Sequence, residues 1–222
     1  YTTLFRSLHN TGLQRADHRN YMYKQRMVKV KNFMQRSIIM VIGILGGILF
    51  FSEDCMALPQ DPSFDAEHIA IAQEGKTMII DQHVDKAIIN WQDYSIATHE
   101  LVQYRQPNDE AIALNKITGS SPSAIMGSLV ANGQIFIINP NGILFGHNSK
   151  INTAGLLATT LNISDGDFFE GNYIFSQDQY KQLSFIINMG EITIADNGYV
   201  VIVAPLVSND GLIIANLGEV HV

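Results

Sequence analysis

Residues able to do chemistry are present, but they do not converge on a site. The seven histidines (His9, His18, His68, His83, His99, His147 and His221) include no pair at close metal-ligand spacing, and Cys55 is the single cysteine. Asp165 and Asp167 flank Gly166 and could suggest a calcium loop or a carboxylate pair. The rest of an EF-hand pattern is missing, so a solvated loop is expected there. No nucleophile elbow, P-loop or dinucleotide-binding glycine set occurs. Asn162-Ile-Ser164 is a formal glycosylation sequon, for which a plain turn is the expectation. No catalytic residue, metal or cofactor is therefore expected. The spacing that does stand out belongs to Asn, Pro and Gly, in particular Asn139-Pro140-Asn141-Gly142-Ile143.

Turn residues of this kind need strands to connect, and the chain supplies them in a distinctive setting. Charged residues make up only 16% of the chain, against roughly 25% in ordinary soluble domains. Residues 1–36 carry eight Lys or Arg and one acid, Asp17, whereas from Leu58 onward six basic residues face eighteen acidic ones. A basic head on an acidic body marks a targeting segment on an exported protein. The body lacks the basic stripe that phosphate contacts require, so no nucleic-acid partner is expected.

Residues 27–57 read as a signal peptide. Met27 to Arg36 is a basic start, and the 15 residues from Ser37 to Phe51 (SIIMVIGILGGILFF) are apolar and uncharged. That run is shorter than the roughly 20 residues of a spanning helix. A short uncleaved membrane anchor is the alternative, and a buried core helix fits less well beside the basic flank and Gly43, Gly46 and Gly47. Cys55-Met56-Ala57 places small residues at both recognition positions, so cleavage is expected after Ala57 by the leader-processing step of Sec export. The mature chain would then hold no cysteine, which suits a chain that crosses a pore unfolded. Residues 1–26 show no hydrophobic periodicity and are expected to be unstructured. They either lie upstream of a true start at Met27, the favoured reading, or extend the leader.

From Leu58 to Val222 short β-branched runs alternate with Asn/Gly turns. Met78–Ile80, Ile135–Ile138, Ile143–Phe145, Phe185–Ile187 and Tyr199–Val203 read as strands. The best helix candidates are short, Ala154–Thr160 and Asp178–Leu183. Asn188-Met-Gly190-Glu-Ile192 recurs as Asn209-Asp-Gly211-Leu-Ile213 and partly as Asn216-Leu-Gly218-Glu-Val220. Gly190 and Gly211 are 21 residues apart and Gly198 and Gly218 are 20 apart, and Asn132-Gly133 and Asn141-Gly142 show the same turn-then-strand order. A period near 20 suggests one coil of a β-solenoid, with about eight coils at most in the body. Gly would accept positive φ at the corners, Asn could form side-chain ladders along the axis, and Ile and Val would stack inward. An antiparallel sandwich is the alternative on pattern alone.

The stretch from Ala113 to Gly146 (ALNKITGSSPSAIMGSLVANGQIFIINPNGILFG) resembles the N-terminal haemagglutination-activity, or two-partner-secretion (TPS), domain of the filamentous haemagglutinin family. The distinctive piece is Asn139, Pro140, Asn141, Gly142 and Ile143, followed by Leu144-Phe145-Gly146. Supporting positions are Trp91 in a tryptophan-containing strand, Asn115, Pro122, Ser123, Gly127, Asn132 and Gly133. Gly155 to Ile163 also matches, and the resemblance runs from about Ala66 to Val222. No Asn-Pro-Asn-Leu tetrapeptide, which a subset of the family carries, is present.

The resemblance implies an all-β, right-handed single-stranded parallel β-helix with N-terminal capping strands over residues 58–222. A C-terminus cut within a repeat is part of that expectation. Trp91 is expected to be buried near the start, and most of Tyr94, Tyr104, Phe136, Phe145, Phe168, Phe169, Tyr173 and Phe175 to fill or cap the solenoid. Some β-helices are polysaccharide lyases or hydrolases, but the acids here are scattered through turns. The implied function is secretion targeting in a Gram-negative bacterium, by way of the periplasm to the cell surface or medium. The implied partner is an outer-membrane TpsB-type β-barrel transporter with POTRA domains. The alternative is an adhesin module that binds a host-cell receptor or glycan directly.

Overall fold

The computed structural model describes residues 57–177 and 184–222. The extension 1–26, nearly all of the signal segment and the helix candidate 178–183 lie outside the described residues. Strands are numbered in chain order. One sheet contains β1 (Ser63–Phe64), β4 (Lys86–Trp91), β6 (Ile112–Ile117), β9 (Gln134–Ile138), β12 (Gly155–Thr159), β15 (Tyr199–Val203) and β18 (Glu219–His221). A second contains β7 (Ser123–Ile125), β10 (Ile143–Phe145), β13 (Phe185–Asn188) and β16 (Leu206–Asn209). The third contains β2 (Ile69–Glu74), β3 (Thr77–Gln82), β5 (Leu101–Arg105), β8 (Ser128–Ala131), β11 (Lys150–Thr153), β14 (Glu191–Ile194) and β17 (Leu212–Ala215).

The chain visits these sheets in rotation, and pairing within each is parallel from one coil to the next. This is the expected parallel β-solenoid, with about six turns. Antiparallel pairing between strands is at the start, where β1 lies against β4 and β2 folds back on β3; an isolated antiparallel bridge also joins Asn162 to Ser176. These strands close the end where a parallel edge would otherwise stand open.

Register explains why β-branched residues recur. Met78, Val102, Leu129, Ile151, Ile192 and Ile213 stand in one row of the third sheet. The first five of these are buried. Opposite them Ala87, Ala113, Ile135, Leu156 and Val200 form a buried row of the first sheet. Each coil thus covers the apolar side chains of the one before it, and none can bury its inner face alone.

Two expectations are corrected here. Ala154–Thr160 is not helical; it contains β12, Gly155–Thr159. Asp165 and Asp167 are not in a solvated loop but in a helix, α1 (Asp165–Glu170), which is inserted between coils. The Ser164 hydroxyl caps its start by accepting from Asp167 N at 3.0 Å, and Gly171 ends it at φ 78°. This insertion packs on the outside of the first sheet. There Phe168 joins Ile112, Leu114, Phe136, Ile138, Leu157 and Ile163 in a second apolar cluster. Both faces of β12 are therefore covered, which gives it a continuous apolar run instead of an alternating one.

Candidate secretion and folding motif

Asn139 sits at the end of β9 with no exposed surface, and Pro140 and Asn141 turn the chain into β10. The turn is closed by Gly142 N donating to Asn139 O at 3.0 Å. The Asn139 side chain stiffens it further. Its Oδ1 accepts Asn141 N at 2.9 Å and Asn141 Nδ2 at 3.1 Å, while its Nδ2 donates to Ser121 O and Ser123 Oγ, both at 3.0 Å. Asn141 Nδ2 donates to Gly119 O at 2.9 Å. These bonds reach the preceding coil, and Asn139 N donates onward to Thr159 O at 3.0 Å. The corner thus ties three coils together. Gly142 adopts φ 119°, where a Cβ would stand 2.9 Å from Ser184 Oγ and 3.1 Å from Phe185 O. Ile143 is fully buried below it.

The other corner glycines answer to a different constraint. Gly127, Gly133, Gly190, Gly198, Gly211 and Gly218 are not in the positive-φ region. They are needed because carbonyl oxygens of neighbouring backbone fill the space a Cβ would take. At Gly133 that oxygen is Ala111 O, 2.7 Å away; at Gly198 it is Ala154 O, and at Gly218 it is Gly198 O. The expected role of glycine as a φ-permissive corner therefore holds at Gly142, and close coil-on-coil approach explains these others. The repeat is also reassigned in part. Asn188 to Gly190 and Asn209 to Gly211 occupy one corner, whereas Asn216 to Gly218 occupies the next, above Asn197-Gly198. The expected Asn ladder is present at the first of these, with Asn188 Nδ2 donating to Asn209 Oδ1 at 2.8 Å.

Trp91 and Asn115 meet inside the first coils, 24 residues apart in sequence. Trp91 Nε1 donates to Asn115 Oδ1 at 2.9 Å, and the Tyr104 hydroxyl donates to the same oxygen at 2.7 Å. Tyr94 and Tyr104 hydroxyls are 3.0 Å apart, and the Trp91 and Tyr94 rings cross edge to face at 5.6 Å. All four side chains are essentially without solvent exposure. Burial pushes both tyrosine hydroxyls well above their ordinary pKa. Burial, with Tyr173 nearby, does the same to Tyr199, whose hydroxyl donates to Gln134 Oε1 at 2.5 Å.

The remaining supporting residues are spread over several corners. Asn132 imitates a strand partner: its Oδ1 accepts Gln106 N at 2.7 Å and its Nδ2 donates to Gln106 O at 2.8 Å. Gly133 N donates to Gln106 Oε1 at 3.1 Å. Ser123 is buried beside Asn139, Pro122 is exposed at the surface before it, and Phe145 is fully buried. Gly146 N donates to Ile125 O at 2.8 Å. Ala57, the expected processing position, is the first described residue, and its N–H donates to Glu100 Oε1 at 2.9 Å.

Sequence reasoning missed the glutamines. Gln106 Nε2 donates to Gln82 Oε1 at 3.2 Å and to Ala111 O at 2.9 Å, and both side chains are buried. Their 24-residue separation, which matches Trp91 to Asn115, was the only available signal. Also unforeseen were the lysines that hold the insertion. Lys86 Nζ donates to Phe168 O at 3.0 Å and Phe169 O at 3.1 Å, and Lys116 Nζ pairs with Asp165 at 2.6 Å. Among the described residues no group of three or more His, Cys, Asp or Glu could hold a metal ion.

Comparison with known proteins accords with this geometry. The model of the TPS secretion domain matches residues 56–220. A heme/hemopexin-binding protein of Haemophilus influenzae strain Rd is 34% identical over 171 residues, covering 74% of this chain and 19% of that protein. A second heme/hemopexin-binding protein of Haemophilus influenzae is 39% identical over 100 residues, 45% of this chain and 11% of that protein. The chain therefore spans about a fifth, or less, of the length of these relatives. The crystal structure of the HMW1 secretion domain from Haemophilus influenzae superposes with a TM-score of 0.67 at 37% identity, covering 70% of this chain and 41% of that one. Its sequence over residues 56–220 and its coil architecture agree: the chain belongs to the TPS secretion domain family.

Proposed function

We propose that the body directs a two-partner-secretion exoprotein to its outer-membrane transporter and then starts β-helix folding outside the cell. In this reading the leader takes the chain into the periplasm of a Gram-negative bacterium. POTRA domains of a TpsB-type β-barrel capture the body while it is extended, by adding it as a strand to a sheet edge. The acidic body favours a basic capture groove and salt-sensitive association. The chain acts by binding and folding, not by catalysis.

The observation that carries this reading is the Asn139–Gly142 corner, which bonds to the coils on both sides of it. Such a corner can form only once its neighbours have left the pore, so each completed coil opposes backsliding. Deletion of Asn139–Ile143 tests it, in cells holding the transporter. Protein lost from the medium with periplasmic synthesis intact supports the proposal. Normal secretion rejects it. A direct adhesin role is the second reading, favoured by the exposed Phe169, Tyr173 and Ile174 of the insertion. It expects normal secretion of the deletion variant with lost binding to cells or glycans.

A further inference from the structure

Glu100 stands out as a buried carboxylate without a charge partner among the ion pairs seen in the described residues. It is 3% exposed, and the pairs His68–Asp65, Arg105–Asp81, Lys116–Asp165 and His221–Glu219 do not include it. One of its oxygens has a local task. Oε2 accepts Ala97 N at 2.7 Å and closes the turn in which Glu100 N donates to Ala97 O. The next coil needs this turn, because Glu100 O accepts Ser128 N at 2.9 Å and a Cβ on Gly127 would stand 2.5 Å from the same oxygen. The second oxygen has no local task. Oε1 reaches across 43 residues to accept Ala57 N at 2.9 Å. Beside it Leu58 is 4% exposed and belongs to the core of the first coils.

A neutral amide is a modest partner for a buried anion. Removing a carboxylate from water is costly unless a cation or several donors compensate. The sequence supplies a cation at this point. Cys55-Met56-Ala57 is the processing pattern, and hydrolysis of the Ala57–Leu58 bond adds hydroxyl to the Ala57 carbonyl and hydrogen to the Leu58 nitrogen. Ala57 departs with the leader as a carboxylate, and the new amine on Leu58 takes up a proton at neutral pH. The Ala57 N–H is lost from Oε1, and a positive group with three donors appears one peptide unit away, where consecutive Cα atoms are about 3.8 Å apart.

We propose that the buried Glu100 carboxylate is the receptor for the α-ammonium group of Leu58, so that removal of the export leader completes the capped end of the solenoid. This rests on the export reading. It adds a coupling that export alone does not require: processing exchanges a neutral amide donor for a cationic one, making an ion pair at the turn on which the next coil is laid.

The full chain, expressed with its own leader, is purified from the periplasm of a host without the transporter. Mass spectrometry of the N-terminal peptide is expected to show Leu58 as the first residue. Acetylation of its amine is followed at neutral pH. It is expected to be about tenfold slower than in Glu100→Gln, because a charge-assisted bond must break before the amine reacts. A Gly-Ser insertion between Ala57 and Leu58 leaves Glu100 in place and moves the ammonium away. It is expected to speed acetylation equally, and adding Glu100→Gln to it is expected to change nothing further. The insertion variant serves alone if Glu100→Gln does not fold. A first residue other than Leu58, or an amine equally reactive in all forms, overturns the proposal. Neither result bears on secretion targeting, since the transporter takes no part.

Discussion

Replacing Asn115 with Ala is expected to be among the most damaging single changes in the body. The Asn115 Oδ1 atom accepts from both Trp91 Nε1 and the Tyr104 hydroxyl, and the Tyr94 hydroxyl leans on the latter. Ala leaves two buried donors without an acceptor, at about 1–3 kcal/mol each. Its Nδ2 donations to Ala113 O and Phe136 O, both at 3.3 Å, are longer and add less. The expected loss is about 3–5 kcal/mol. For a body of this size each kcal/mol moves the midpoint by roughly 2–4 °C, so a fall of about 6–20 °C is expected. Trp91 is the single tryptophan, so its emission reports on this network directly. Asn115→Asp keeps the acceptor but buries an acid whose folded pKa must rise. The folded state then holds its proton above the unfolded carboxylate pKa near 4, so this variant is expected to lose stability as pH climbs from there. Thermal melts followed by Trp91 emission are the assay. A midpoint within about 2 °C of the parent for Asn115→Ala would refute the reasoning, since the buried donors would then carry no penalty.

Other consequences follow from particular residues. Gly198→Ala drives a Cβ into the Ala154 carbonyl oxygen and is expected to cost about 2–3 kcal/mol, whereas Gly75→Ala, with open space but φ 58°, is expected to cost about 1 kcal/mol; urea melts of the two separate crowding from backbone strain. Phe168→Ala removes a fully buried ring from the outer cluster and is expected to cost about 3–5 kcal/mol, with proteolysis beginning in residues 161–177 while circular dichroism of the coils persists. The raised tyrosines set an alkaline limit. Unfolded tyrosine loses its proton near 10, while folded Tyr94, Tyr104 and Tyr199 keep theirs, so their contribution is whole below 10 and falls as pH rises beyond it. Absorbance titration at alkaline pH is expected to show these three ionising together with unfolding and not before it.

The coil architecture was readable because the same side-chain classes must recur wherever one coil lies on another. Ile143–Phe145 and Phe185–Ile187 are paired neighbours in the second sheet, and both read as strands from composition alone. The Asn139 corner was readable for the same reason, since turn geometry restricts its residue types. The insertion was not. Its six-residue helix is too short to show a 3.6-residue period, and by covering β12 it removed the alternation that would have marked that strand. The helix end signals, Ser164 and Gly171, were present but had no periodic run between them. The role of Gly190, Gly198 and Gly211 was also hidden, because crowding by an adjacent coil is a property of the stack and leaves no local trace. Glu100 looks like any acid in a turn; its buried carboxylate is bonded by Ala57, 43 residues away, and such a long-range contact leaves no local trace.

Fusion of residues 1–222 to a reporter protein with no export signal tests the account most directly, in cells with and without the transporter partner. The account predicts reporter in the medium only when the partner is present, and reporter held in the periplasm when it is absent. Reporter that stays in the periplasm in both strains would contradict it.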